Sequence, residues 1–132
     1  MRAMASRGRR YRTYLVEGFE VLVGKGADDN DHLTFEIADP HDAWLHVASV
    51  PGSHVVVRNP DRVDPLPRAV LEAAARLAAW YSKARGARGK VEVHVCRVAD
   101  VAKRRGQPPG EVELARWKAL RVGPAPPPLE EP

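Results

Sequence analysis

The sequence predicts an α+β domain in which a mainly antiparallel sheet packs against one long helix at about residues 66–85. Polar and apolar residues alternate over 42–47 and again over 91–96, which is typical of half-buried strands. A Pro-Gly pair at 51–52 separates the first of these runs from another apolar run and indicates a tight turn. Apolar residues recur at helical spacing between 70 and 81, so this stretch should lie flat on the sheet.

Further strands are predicted before and after this central part. The β-prone runs 14–17 and 19–23 are separated only by Gly18 and predict a hairpin with a very tight turn. The apolar run after the Pro-Gly pair, residues 54–58, predicts the partner of the strand before it. Residues 111–122 predict at least one more strand, which completes the sheet.

Two helices are predicted. Asn30 and Asp31 would cap a short helix through Ile37, although the β-branched and aromatic residues in this stretch also suit a strand. In the long helix, two prolines fit the first turn and Gly86 ends the last. The long helix is therefore the one expected to cover the sheet.

The composition is that of one ordinary globular domain. The chain has 132 residues, of which 44% are hydrophobic and 29% are charged, which excludes collagen, coiled coils and wholesale disorder. No run approaches the roughly 18 apolar residues of a membrane span, and the arginine-rich start lacks the apolar core of a signal peptide. The single cysteine, Cys96, forms no internal disulfide and no zinc motif. We therefore expect a cytoplasmic protein with no membrane partner.

Three segments are expected along the chain. Residues 1–10 have little to bury and predict a basic, disordered arm. Residues 123–132 contain five of the twelve prolines and predict a proline-rich, disordered tail. The folded domain should span residues 11–122.

Basic and acidic residues are distributed unevenly. The formal net charge is +4, but residues 1–12 hold five arginines and no acid, and residues 83–121 hold eleven basic against four acidic residues. Residues 13–82 instead carry eleven acidic against five basic residues. This asymmetry indicates a surface that faces a polyanion, with nucleic acid as the expected partner. The arginines of the arm would add non-specific affinity, or only solubility.

The segment 42–54 concentrates the candidate chemistry. Its polar and aromatic members are Asp42, Trp44, His46, Ser53 and His54. Three interpretations remain open from the residues alone. In the first, these residues are metal ligands, or a serine nucleophile is served by a histidine. In the second, they are packed and hydrogen-bonded around a turn. In the third, they form a pocket for an unpaired nucleobase.

Two basic clusters are predicted to contact phosphate. The first cluster comprises Lys83, Arg85 and Arg88, and the second comprises Lys103, Arg104 and Arg105. Cations at the end of a helix are also favoured by its dipole without any ligand, whereas the second cluster lies beside a glycine and favours phosphate. Trp117, between two cations, either stacks on a base or faces the core. Aspartates at 28, 29 and 31 suit Mg²⁺ or a solvated loop, and we predict no metal site.

Several ordered motifs are similar to those of one family. They are Val21-Leu22-Val23-Gly24-Lys25, Asn30-Asp31-His32-Leu33-Thr34, Asp42-Ala43-Trp44-Leu45-His46 and Pro51-Gly52-Ser53-His54-Val55. In this order the chain resembles the NFACT-R domain, and the resemblance covers nearly all of 11–124. It implies an RNA-binding module of the kind found in ribosome-associated quality-control factors of the RqcH and NEMF type. Those factors bind the large ribosomal subunit carrying stalled peptidyl-tRNA.

Residue patterns and resemblance together predict an RNA-binding pocket. Its expected members are Lys25, Asn30, Asp31, Asp42, Trp44, His46, Pro51, Gly52, Ser53 and His54. Lys25 departs from the family, which usually has arginine there, so a fork-shaped donor is replaced by a point charge. The resemblance does not extend to the N-terminal NFACT domain, the helix-hairpin-helix segment or the coiled coils of the full-length factors.

These observations predict a non-enzymatic module that binds ribosomal or transfer RNA, with the large ribosomal subunit as its partner, in translation or ribosome quality control. We expect no cofactor, no metal and no DNA partner. One alternative is a metal-dependent or histidine-assisted hydrolase that acts on RNA through the pocket at 42–54. Another is an adaptor that binds a protein through the acidic surface of residues 13–82.

Overall fold

A seven-stranded antiparallel sheet forms the centre of the computed structural model, which describes residues 1–131. Its strands, in spatial order, are β1 (Arg2–Ala3), β2 (Tyr11–Val16), β3 (Phe19–Gly24), β5 (Val55–Val57), β4 (Ala43–Val47), β6 (Val91–Arg97) and β9 (Lys118–Val122). Two short strands, β7 (Val101–Ala102) and β8 (Glu113–Leu114), form a separate ribbon. The helices are α1 (Ala27–His32) and α2 (Arg68–Trp80). The predicted α+β class and antiparallel sheet are confirmed.

The prediction of one long helix is wrong, because α2 has only 13 residues and covers less than 66–85. Beyond Trp80 the chain pairs with the loop after β4. The carbonyl of Tyr81 accepts a hydrogen bond from the Ser53 amide at 2.9 Å, and the Lys83 amide donates to the Pro51 carbonyl at 3.0 Å. These tertiary hydrogen bonds replace the next helical turn. A prediction from local helix propensity does not include them.

One face of the sheet packs against α2. The buried side chains of this layer include Tyr14, Val21, Val23, Leu45, Val55, Val57, Val70, Ala74, Leu77, Ala78 and Val93. The alanines let the helix approach the sheet closely. This layer is the main core, as the apolar stripe of the helix predicts.

The opposite face of the sheet is covered only in part. A second apolar cluster comprises Leu22, Leu33, Trp44, Val56, Val98 and Val101. Because side chains alternate along a strand, Leu45 and Val47 of β4 face α2 while Trp44 and His46 lie on this second face. The segment after β3 and the β7–β8 ribbon shield the cluster, and the rest of the face remains open.

The predicted hairpin is confirmed, and its turn consists of Glu17 and Gly18, which have φ angles of 48° and 83°. Two left-handed residues form the tight turn that best matches strand twist. The short helix differs from its prediction, since α1 begins at Ala27 and runs into a π-helical turn, Leu33–Ile37. Asn30 therefore lies inside the helix and caps nothing, because its side chain bonds to the distant loop before β5.

Some residues of both ends pack on the domain, within the stretches 1–10 and 123–132 for which the sequence predicts a disordered arm and tail. Ala3 is buried and β1 pairs with β2. The Glu131 amide donates a 2.9 Å hydrogen bond to the Ala3 carbonyl, so the two ends hold each other at the sheet edge. Low hydrophobicity does not reveal such pairing, because backbone groups supply it. Pro132, part of the predicted tail, lies outside the described residues.

Candidate nucleic-acid interface

An open groove lies on the sheet face opposite α2 and has a volume of about 620 Å³. We call it the aromatic groove. Its lining includes Trp44, His46, Pro51, His54, His94, Gly110, Glu111, Glu113, Leu114 and Trp117. Trp117 is 52% exposed and its ring centroid lies 5.4 Å from that of His94. The groove therefore offers an aromatic surface to solvent, and Trp117 does not belong to the core.

His46 and His94 are direct cross-strand partners on β4 and β6. His46 also stacks on Trp44, with ring centroids 5.9 Å apart. Burial lowers the pKa of His46, so its ring is neutral near pH 7 and offers both a donor and an acceptor nitrogen. His94 is a site residue that the sequence analysis missed, because its partnership with His46 depends on strand register.

Trp44 and His54 belong to a buried hydrogen-bond chain, not to an exposed pocket. Only 2% of Trp44 and 1% of His54 are exposed. The indole Nε1 of Trp44 donates a hydrogen bond to the Thr34 hydroxyl at 3.2 Å. The oxygen of the same hydroxyl lies 2.8 Å from Nδ1 of His54. Nε2 of His54 donates to the Gly110 carbonyl at 3.0 Å. Burial, followed by the charge of His46, lowers the pKa of His54 to about 4. Both residues thus form the floor beneath the groove.

Asp42, which the sequence predicts as a pocket residue, does not line the aromatic groove. Its carboxylate accepts hydrogen bonds from the amides of Asp39 and Asn59 at 2.9 and 2.7 Å. The Arg58 guanidinium lies 2.9 Å from Oδ2. Asp42 directly precedes β4, which begins at Ala43. It holds the ends of β4 and β5 together.

The turn at 51–53, which the Pro-Gly pair predicts, borders the groove. Pro51 is exposed and lines the groove, whereas the Ser53 amide bonds to the end of α2. Gly52 does not have a positive φ. It is required because a Cβ there would lie 2.8 Å from Cβ of Ser82. The turn is therefore braced by α2.

Three other predicted pocket residues serve mainly as supports. Asn30 is buried, and its Oδ1 accepts a 3.0 Å hydrogen bond from the His54 amide. Asp31 accepts a 3.1 Å hydrogen bond from the Gly110 amide and lies 3.0 Å from Nζ of Lys103. Lys25 donates to the Ser6 carbonyl at 2.8 Å. These contacts fix the loops around His54 and hold the edge near β1.

The second predicted basic cluster divides into structural and free residues. Lys103 donates to the carbonyls of Pro108 and Glu111 at 2.7 and 2.8 Å, in addition to its ion pair with Asp31. Arg104 pairs with Glu113. Arg105 is exposed and is the residue of this cluster best suited to reach phosphate. Lys103 instead anchors the loop that closes over His54.

The first predicted basic cluster follows α2 and is exposed at Lys83, Arg85 and Arg88. The Arg85 guanidinium lies over the Trp80 ring at 4.6 Å and 5.8 Å from the centroid of Tyr81. Stacking on aromatic rings leaves guanidinium edges available for phosphate. The two aromatic residues were not predicted as site residues, since apolar spacing in a helix first indicates core.

The carboxylate of Asp42 bonds to the Asn59 amide and not to a histidine, and both ring nitrogens of His54 are engaged in hydrogen bonds. Within residues 1–131, no three His, Cys, Asp or Glu side chains lie close enough together to hold a metal ion.

Several acids of segment 13–82 are ion-paired within the domain. These pairs are Asp29–Arg10, Asp31–Lys103, Asp42–Arg58 and Glu72–Arg68. Among residues 1–131, no helix is both long and apolar enough to span a lipid bilayer.

Comparison with known proteins gives consistent matches. The family model for the NFACT protein RNA binding domain matches residues 10–115. The Rqc2 homolog RqcH of Streptococcus suis (strain 05ZYH33) is 40% identical over 104 residues, which are 79% of this chain and 18% of that protein. The Rqc2 homolog RqcH of Bacillus subtilis (strain 168) is 39% identical over 107 residues, covering 81% of this chain and 18% of that protein.

A solved structure shows the same fold. The C-terminal part of the fibronectin/fibrinogen-binding protein from Streptococcus suis superposes with a TM-score of 0.80 at 38% identity, over 92% of this chain and 47% of that chain. This chain thus spans only about a fifth of the length of its RqcH relatives. Because most of the chain matches the family in sequence and in fold, it belongs to the NFACT RNA-binding domain family.

Proposed function

We propose that this domain binds unpaired nucleotides of RNA in the aromatic groove, with Trp117 as the stacking platform. The observation that carries the proposal is the half-exposed Trp117 ring beside His94. An aromatic surface that is exposed at the mouth of a groove is available for contact with a ligand. Stacking on such a ring is the common means of holding a single-stranded base, and every base has a suitable face.

The walls of the groove supply partners for the edge of a stacked base. The neutral ring of His46 can donate or accept a hydrogen bond. Glu111 and Glu113 also line the groove, and carboxylates accept hydrogen bonds from the amino groups of bases. The groove is therefore suited to the base edge, while phosphates contact cations outside it.

Those cations lie beyond the turn at 51–53. Pro51 lines the groove, and its carbonyl accepts the amide of Lys83. The exposed Lys83, Arg85 and Arg88 thus begin where the groove ends. Cations that follow a base-binding groove can track the RNA backbone and provide the salt-dependent part of affinity.

The RNA that we propose is ribosomal or transfer RNA on the large ribosomal subunit, in ribosome quality control. Support comes from the family description and from the Rqc2 homologues that the chain resembles. The chain corresponds to 18% of those proteins, so the proposal concerns one contact with RNA and not their whole activity.

The test is the binding of a fluorescent oligouridine to the full chain, measured by anisotropy at fixed salt. Trp117→Ala should weaken binding by the roughly 1 to 3 kcal/mol of a stacked base and leave the melting temperature unchanged. Phe35→Ala is the matched control, because Phe35 is a 42% exposed aromatic residue that does not line the groove. Equal affinity for the two variants would overturn the proposal.

The ribosomal part of the proposal needs a separate measurement. In a sucrose gradient of a cell extract, the wild-type chain should sediment with the large subunit, and RNase should release it. Trp117→Ala should shift the chain toward the top of the gradient, whereas Phe35→Ala should not. Sedimentation that RNase leaves unchanged would indicate a protein contact instead.

A further inference from the structure

The last described residues place two carboxylates on a group of cations. Oε1 and Oε2 of Glu131 accept hydrogen bonds from Nε and Nη2 of Arg2 at 3.0 and 2.7 Å. The carboxylate of Glu130 accepts a hydrogen bond from the Ser6 hydroxyl and lies 3.2 Å from Nη1 of Arg12. Arg2 therefore holds Glu131, and Ser6 with Arg12 holds Glu130, although residues 130 and 131 are remote from all three in sequence.

The same donors are those that proteins use to hold phosphate. A guanidinium fork that binds two oxygens, together with a hydroxyl, is a common arrangement at nucleic-acid backbones. Hydrogen bonding from Ser6 and the charges of Arg12 and Lys25 lower the pKa of Glu130. The position therefore favours an anion, and the carboxylates occupy it in this structure.

This anion site is continuous with the proposed RNA surface. The Arg12 guanidinium lies over the Tyr81 ring at 5.2 Å, and Arg85 lies 5.8 Å from the same ring centroid. Tyr81 accepts the Ser53 amide, next to the turn that borders the aromatic groove. A row of cations and aromatic rings thus runs from the groove, past the end of α2, to Arg12. We call this row the basic track.

We propose that Arg2, Arg12 and the Ser6 hydroxyl are phosphate-binding groups at the far end of the basic track. Glu131 on Arg2, and Glu130 on Ser6 and Arg12, would then compete with RNA for these groups. The inference rests on the proposed function of the groove. In this proposal the 129–131 segment takes the place of the RNA backbone. An extended strand of RNA would displace the segment.

The contacts have the strength that a displaceable competitor needs. The side chains of Arg2 and Glu131 are 62% and 44% exposed, and those of Arg12 and Glu130 are 36% and 40% exposed. Exposed ion pairs contribute little to folding and weaken in salt. Because the segment belongs to the same chain, it competes at an effective concentration on the order of millimolar. A short RNA would lose this competition, whereas a longer one with several contacts would win.

The experiment compares the full wild-type chain with the double variant Glu130→Gln/Glu131→Gln. These substitutions remove two charges and keep the backbone pairing with β1. The double variant should bind oligouridine several-fold more tightly, and the slope of log K against log salt should steepen by about 0.7 for each additional phosphate contact. Arg12→Gln in the same background should abolish the gain, and in the wild-type background it should change affinity little.

The matched control is Glu36→Gln/Glu72→Gln, which removes two ion-paired carboxylates of the helical segments and changes the net charge equally. An equal gain in this control would show that only net charge matters and would overturn the inference. So would a double variant that binds like the wild type. If Trp117→Ala still weakens binding in that case, the proposed function stands and only the competition fails. If the wild type and both double variants fail to bind oligouridine, the groove proposal fails with it.

Discussion

The Thr34 hydroxyl joins the two most buried rings of the candidate site, because it accepts from Trp44 and donates to Nδ1 of His54 across 2.8 Å. The direction of the second bond follows from the other contacts. Nε2 of His54 faces the Gly110 carbonyl at 3.0 Å and must carry the proton, so Nδ1 of the neutral ring is an acceptor. One hydroxyl therefore satisfies two buried rings, one on β4 and the other in the loop before β5.

Thr34→Val should destabilise the domain, since it keeps the shape of the side chain and leaves two buried polar groups without a partner. The expected loss in free energy of unfolding is about 1 to 3 kcal/mol, measured by urea denaturation. Thr34→Ser keeps the hydroxyl and should retain most of that stability. Equal stability of the valine and serine variants would mean that the hydrogen-bond chain is not a stabilising feature.

Stability should fall as the pH is lowered from about 6.5 to about 4. Burial lowers the pKa of His54 to about 4, whereas an unfolded histidine titrates near 6.5, so the unfolded state binds the proton first in this range. The free energy of unfolding should drop by about 3 kcal/mol over the range, and burial of His46 acts in the same direction.

Denaturation at several pH values checks this dependence, and the NMR shifts of the His54 ring should show it neutral until about pH 4. His54→Gln should reduce the pH dependence. His41→Gln is the control, because His41 is exposed and should leave the dependence unchanged. A His54 ring that titrates near 6.5 in the folded protein would contradict the prediction.

Lys103 and Arg105 should have opposite roles despite lying two residues apart. Lys103→Met removes hydrogen bonds to two carbonyls and the ion pair with Asp31, and should cost about 2 kcal/mol of stability. Arg105→Gln should leave stability unchanged, weaken RNA binding and reduce the salt slope by about 0.7. Calorimetry and RNA titrations separate the two effects. An unchanged salt slope for Arg105→Gln would exclude this loop from the RNA footprint.

Gly52→Ala should destabilise the turn through a collision and not through an unfavourable φ. The added Cβ would lie 2.8 Å from Cβ of Ser82 and 3.1 Å from Cγ1 of Val47. Ser82→Gly removes one of these atoms and should recover part of the loss in a double-mutant cycle. Melting temperatures of the two single variants and the double variant give the coupling. Additive losses would show that the two positions do not press on each other.

The strands and the helix could be predicted because each leaves a short-range periodic pattern. Alternation at 42–47 places Trp44 and His46 on one face, and the structure agrees. The end of the long helix could not be predicted, because Tyr81 leaves the helix to accept the Ser53 amide. That hydrogen bond joins residues far apart in sequence, so no local propensity encodes it.

Within the candidate site, the sequence shows which residue types are present but not which of them are exposed. The sequence analysis names Asp42 and His54 as candidate site residues. In the structure both side chains are buried and hydrogen-bonded. His94 and Tyr81 read as ordinary strand and helix residues. Only strand register and the packing of α2 bring the former beside His46 and the latter beside Arg12.

By itself, the sequence determined the α+β class, the antiparallel pairing around the Pro-Gly turn, the uneven charge and the family, because these depend on composition, periodicity and ordered motifs. The tertiary structure alone decided which polar residues are exposed. It made Trp117 the accessible ring and Trp44 the buried one, and it brought Glu130 onto Arg12. The physical reason is that burial and ion pairing arise from contacts between distant segments, which nothing in the local pattern of either segment specifies.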